Sequence, residues 1–317
     1  MIYAKYAYPN NFIDLIIFEF ICMDYAHPEV LVDTEWVVNH LKDPKVKIVE
    51  VDYDPSTAYF VWHIPGASLL TWKDHIRHSV RRDFVEPDQF AKFMEERGIS
   101  NDTTVVLYGD YNNWFAAYAF WVFKVYGHED VRLFNGGRTK WARENRPTCG
   151  GHQEPHYYKE TGAKYVVKRV DWGGHRVYAW EILNRLNKGE VGKSLMLVDV
   201  RSSKEYTGEI TAPPEYPNEH AQVGGHIPGA INIPWSLAVN PDTGEFKMPD
   251  ELRRLYEQYG ITPDKEVITY CRIAERASHT WFVLKYLLGY PSVRVYDGSW
   301  AEWGNMVGVP IKKGQEP

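Results

Sequence analysis

The chain has 317 residues, 44% of them hydrophobic and 15% aromatic, enough to bury two separate cores. Its formal net charge of −6 excludes a general nucleic-acid binder and confines any basic site to a local cluster. Its three cysteines, Cys22, Cys149 and Cys271, are far apart and odd in number, which excludes a disulfide framework and leads us to expect a reducing, cytoplasmic setting.

Residues 1–23 read as an N-terminal extension. Phe12 to Met23 is apolar, but Asp14 and Glu19 interrupt it and it is too short to span a bilayer. Lys5 alone does not make the basic start of a secretory signal. A native start at Met23 is the alternative expectation, which the intact mass decides. A first domain is expected over 24–147, a Pro- and Gly-bearing linker over 148–164, and a second domain over 165–317.

Both domains show one order of elements. A helix at 34–41 or 176–187 leads to an apolar strand ending near Asp52 or Asp199. A loop then closes on His63-Ile64-Pro65-Gly66-Ala67 or His226-Ile227-Pro228-Gly229-Ala230. A charged amphipathic helix follows at 87–97 or 249–259, then a strand at 103–108 or 266–270. The next helix, 114–126 or 277–288, stops at Gly127 or Gly289. A last strand, 131–134 or 293–296, runs into a short helix around Trp141 or Trp303. Short apolar strands alternating with helices predict an α/β fold, a mainly parallel sheet flanked by helices on both faces, built twice.

The two domains repeat each other. An offset of 162 residues carries Gly127, Arg132, Gly136 and Trp141 onto Gly289, Arg294, Gly298 and Trp303, and the His-Ile-Pro-Gly-Ala segments lie 163 apart. Pairing Asp52 with Asp199 gives 147, which implies a longer loop in the second domain. The histidines His63 and His226 are explained by their Pro-Gly turns. The recurring Trp141 and Trp303 read as core. The Arg77–Arg82 cluster reads as a solvated loop rim.

In parallel sheets, ligands bind beyond the carboxyl ends of the strands, and Cys271 stands at such an end. It opens Cys271-Arg272-Ile273-Ala274-Glu275-Arg276 between a β-rich run and a helix. The helix N-terminus and two arginines are expected to favour the thiolate, the reactive form, and to hold an anion against it. The repeat carries Cys271 onto Gly109 and Arg272 onto Asp110. The first domain therefore has no thiol there and is expected to be inactive, supplying a wall and aromatic cover such as Trp114. Cysteine phosphatases place the loop arginine six residues after the cysteine; here it comes after five. The tighter loop suits a single sulfur on the cysteine, a persulfide cradled by the amides of Ile273, Ala274 and Glu275. No Cys/His spacing resembles a zinc site.

Two His-Ile-Pro-Gly-Ala repeats, with Asp-Gly-Ser-Trp-x-Glu-Trp and Cys-Arg-Ile-x-Glu-Arg in the second, resemble a tandem-rhodanese thiosulfate sulfurtransferase from about Glu29 to Pro310. The resemblance implies two rhodanese domains, the second catalytic. It implies Cys271 as nucleophile, Arg272 and Arg276 as thiosulfate-binding loop residues, and Arg201 as a further anion-holding arginine. The implied scheme is ping-pong. Cys271 takes the outer sulfur of thiosulfate, sulfite leaves, and cyanide or a thiol removes the sulfur from the persulfide, with no metal or organic cofactor. No nucleic-acid or membrane partner is expected. Similar loops usually carry glycine where this chain has Ala274, which puts rate or donor preference in question because positive φ is costly for alanine. A 3-mercaptopyruvate donor, a persulfide carrier serving a protein partner, and a phosphatase remain open as alternatives.

Overall fold

The computed structural model describes residues 24–150, 162–213 and 220–317. The expected extension over 1–23, with Cys22, and most of the expected linker lie outside them. Two five-stranded parallel sheets form the molecule. The first contains β1 (Leu31–Val32), β2 (Val46–Asp52), β3 (Ser68–Thr71), β4 (Thr104–Gly109) and β5 (Val131–Phe134), in the order β1-β5-β4-β2-β3. The second contains β6 (Arg176–Val177), β7 (Leu195–Asp199), β8 (Ala230–Asn232), β9 (Glu266–Tyr270) and β10 (Val293–Tyr296), in the order β6-β10-β9-β7-β8. The orders are the same, and every strand pair is parallel.

The helices of the first domain are α1 (Thr34–His40), α2 (Trp72–His75), α3 (Pro87–Glu96), α4 (Asp110–Val125) and α5 (Gly137–Arg143). Those of the second are α6 (Trp172–His175), α7 (Ala179–Asn187), α8 (Ser203–Thr207), α9 (Pro249–Glu257), α10 (Glu275–Phe282) and α11 (Ser299–Trp303). The helix expected over 176–187 begins only at Ala179. Arg176 and Val177 instead extend the sheet beside β10, and Glu181 reaches back to accept the Tyr178 N–H at 3.0 Å, which caps the helix there. The stretch beyond α10 widens into a π turn over Val283–Leu287, where the Leu288 N–H donates to the Val283 carbonyl five residues back.

One apolar core runs through both domains across α4 and α10. Phe120 of α4 meets Phe282 of α10 edge-on at 4.9 Å, and Trp114 meets Trp235 edge-on at 4.9 Å. The two carboxyl-end loops thus open beside a shared aromatic wall.

The repeat is visible in detail. Tyr59 and Tyr206 donate to the Ala67 and Ala230 carbonyls, each at 2.7 Å, and stack on His63 and His226. Each histidine ring hydrogen-bonds a backbone carbonyl, Tyr59 at 3.0 Å and Tyr206 at 2.9 Å, so both histidines fasten turns. Trp141 and Trp303 are fully buried. Sheet register corrects one sequence pairing. Glu50 pairs with Tyr108 and Leu69, and Asp199 pairs with Tyr270 and Asn232, so Asp199 corresponds to Glu50 and Arg201 to Asp52.

Candidate active site

Cys271 follows β9 directly, and Ala274 takes φ +76°, the left-handed turn that lets the chain enter α10. That conformation strains an alanine by about 1–2 kcal/mol. Ser299, also left-handed at φ +50°, fixes the loop from the other side. Its hydroxyl accepts the Cys271 N–H at 3.1 Å and donates to the Tyr296 carbonyl at 2.7 Å. In the first domain the equivalent residue is Gly137, and Asn113 makes the same bridge, accepting the Gly109 N–H at 3.0 Å and donating to the Phe134 carbonyl at 2.8 Å.

The Cys271 thiol is fully buried and donates to Glu275 Oε2 at 3.2 Å. The same carboxylate oxygen accepts the Ile273 N–H at 3.3 Å. Glu275 Oε1 lies 3.6 Å from Arg272 Nη2 and 3.4 Å from Arg276 Nε. Arg276 forks onto Glu205, with both nitrogen–oxygen distances 2.9 Å, and its guanidinium lies 5.6 Å from the centre of the Trp114 ring. Arg201 clamps Asp199 at 2.6 Å, donates to the Gly225 carbonyl at 2.7 Å and lies 4.6 Å over Trp300. Among the described residues, Arg272 and Arg276 thus share Glu275 with the thiol, whereas Arg201 is engaged by Asp199.

Charge does not favour the thiolate in this arrangement, contrary to the expectation from the loop alone. Burial pushes the Cys271 thiol up to about 12, and the Glu275 carboxylate adds to that; Arg276 and the Ala277 amide pull the other way without prevailing. The amide acting on the sulfur is that of Ala277, whereas the Ile273 amide is taken by Glu275. Sequence reasoning also missed Glu205, whose signal was its Ser202-x-x-Glu205 capping box. The Glu205 carboxyl is desolvated, yet Arg276 holds it down at about 2.

The first domain contributes more than a wall. Arg82 donates to the Ile273 carbonyl at 3.2 Å and to the Asp297 carboxylate at 3.1 Å, anchoring the cysteine loop from outside. Arg77 lies 4.3 Å over Trp72. The Arg77–Arg82 segment is exposed from Ser79 to Arg82, as a solvated rim should be, yet through Arg82 it also ties the first domain to the cysteine loop. It lines a cavity of about 500 Å³ together with Arg176, Tyr178, Ile273 and Asp297.

The rhodanese-like domain model matches residues 33–144 and again 179–306, and the chain belongs to the rhodanese-like family. It is 58% identical to a Thermus thermophilus protein named sulfur carrier protein TtuD over 93% of this chain and 100% of that one. A Mycolicibacterium smegmatis relative that carries the provisional name thiosulfate sulfurtransferase is 49% identical over 91% of this chain and 99% of its own. Among solved structures, EanB in a cysteine-persulfide form with ergothioneine superposes with a TM-score of 0.74 at 27% identity, covering 92% of this chain and 72% of that one. These similarities place the chain among sulfurtransferases and sulfur carriers. No helix among the described residues is long and apolar enough to cross a membrane.

Proposed function

We propose that the chain is a sulfurtransferase whose Cys271 takes the outer sulfur of thiosulfate, releases sulfite and passes the sulfur to cyanide or a thiol. The observation that carries this reading is the Cys271 thiol at the carboxyl end of β9, bonded to a carboxylate that lies within 3.6 Å of both loop arginines, Arg272 and Arg276. The arginines can meet the donor's negative charge where water is excluded. The second domain is the catalytic one, since Gly109 and Asp110 stand where Cys271 and Arg272 do. The EanB persulfide and the thiosulfate name of the mycobacterial relative support the same chemistry.

A second reading has a specific support. The 58% identity to a sulfur carrier favours a persulfide handed to a protein partner, with slow turnover on small acceptors. Mass spectrometry after thiosulfate exposure tests both. One added sulfur on Cys271, lost in Cys271→Ser together with sulfite release, is the expected result. Retained turnover in that variant overturns the assignment. Comparing cyanide turnover with transfer to protein acceptors then separates enzyme from carrier.

A further inference from the structure

Glu275 is fully buried, and its two oxygens do different things. Oε2 receives the Cys271 thiol and the Ile273 amide, while Oε1 accepts no hydrogen bond among the described residues. Oε1 stands within 3.6 Å of both loop guanidinium groups. The carboxylate therefore occupies the place an anionic donor needs, next to the atom that must lose a proton. Arg276 is also forked onto Glu205, and Arg201 is held by Asp199. Tyr111 of the first domain feels the Arg272 charge from across the junction. Among the described residues, no other carboxylate or histidine is hydrogen-bonded to the thiol.

We propose that Glu275 is a catalytic residue, the base that accepts the Cys271 proton as the donor enters and the acid that returns it when the sulfur leaves. The proposal rests on the persulfide chemistry described above. Cys271–SH and the Glu275 carboxylate react with ⁻S–SO₃⁻ to give Cys271–S–S⁻, the Glu275 carboxylic acid and SO₃²⁻. The Sγ–H bond breaks as Glu275 gains the proton, an S–S bond forms to Cys271, the S–S bond of thiosulfate breaks, and sulfite leaves with the electron pair. An acceptor such as cyanide then takes the outer sulfur as SCN⁻, and the Cys271 thiolate recovers its proton from Glu275. One proton transfer does two jobs: it makes the nucleophile, and it neutralises the carboxylate that competes for Arg272 and Arg276. That link would let a buried, charge-balanced cluster take up a dianion.

The test is single-turnover persulfide formation from thiosulfate by the full chain between about pH 6 and 8. Wild type should vary little over that range, because its proton acceptor is internal. Glu275→Gln should be slower by about 100-fold or more at pH 7, and its rate should climb about tenfold per pH unit as hydroxide takes over. Glu275→Asp keeps a carboxylate and should restore most of the flat profile, which a merely structural role would not predict. A Gln variant as fast as wild type, or faster, overturns the proposal and leaves the carboxylate only a brake. If wild type takes no sulfur from thiosulfate, the donor reading fails by itself. Iodoacetamide alkylation of Cys271 over the same range then decides for Glu275, with slower labelling of the Gln variant supporting it and equal or faster labelling refuting it.

Discussion

At the carboxyl ends of the strands, the first domain sets Glu50, Asp52 and Asp110 against one arginine, Arg138, while the second sets Asp199, Glu205 and Glu275 against Arg201, Arg272 and Arg276. By sheet register and repeat offset, Asp52 stands for Arg201, Asp110 for Arg272 and Trp114 for Arg276. The backbone bridge is kept in both, by Asn113 in one and Ser299 in the other. Duplication has preserved the strand-end geometry and shifted its charge balance, from three carboxylates against one arginine to three against three. Trp114 still meets Arg276, the residue it replaces, across the junction.

The largest effect that probes this contrast, after loss of Cys271 itself, is expected from Arg276→Ala. It strands Glu205 as a buried charge without its forked partner, which costs about 3–5 kcal/mol. It also removes the cation proposed to bind the donor, so the KM for thiosulfate should rise. Thermal melts and steady-state kinetics check the two parts, and an unchanged KM removes Arg276 from donor binding.

The acid balance of the two copies should show next, in opposite directions. Burial raises the Asp52 carboxyl to about 7, and burial with the Asp52 charge raises Asp110 as well. Groups raised in this way stabilise the fold below their ordinary carboxylate range, and that contribution is lost as pH climbs towards 7. Glu205 is held down at about 2, so its contribution is present above its ordinary value of 4.5 and is lost as pH falls through 2. Asp52→Asn should therefore flatten the loss between roughly pH 4 and 7 and leave the acid limb intact. Melting temperatures across pH read this directly, and an unaltered slope between those values removes Asp52 as its cause.

The smallest expected effect is that of Ala274→Gly. Relief of the φ +76° strain should stabilise the folded loop, offset by the greater freedom glycine has when unfolded, for a net gain of about 1 kcal/mol or less. Denaturant titration measures it, and destabilisation would show that the Ala274 methyl contributes packing that outweighs the strain.

Much of this was legible in the sequence because duplication wrote it twice. Strands β5, β9 and β10 fall where their apolar runs place them. Trp114 opens the right-handed part of α4, after Tyr111, Asn112 and Asn113 pass through left-handed geometry. The edge strands β1 and β6 escaped notice because two residues carry no periodicity. The two-residue slip between Asp52 and Asp199 arose because a shared Val-Asp pair outweighed sheet register, which only long-range hydrogen bonding defines. The loop cations could be read, but their partners could not. Glu205 lies 71 residues from Arg276, and Glu275 reads as a helix-start acid until the structure shows it against the sulfur.

The enclosure of Cys271 bears finally on its fate under oxidants. Peroxide attacks thiolates that solvent can reach, carrying them to sulfenic and then irreversible sulfinic acid. A resting sulfur with no exposed surface, kept protonated by its surroundings, offers little to such attack. Under the proposed chemistry, the burial that makes the nucleophile wait for its donor also shields it from oxidative damage between turnovers.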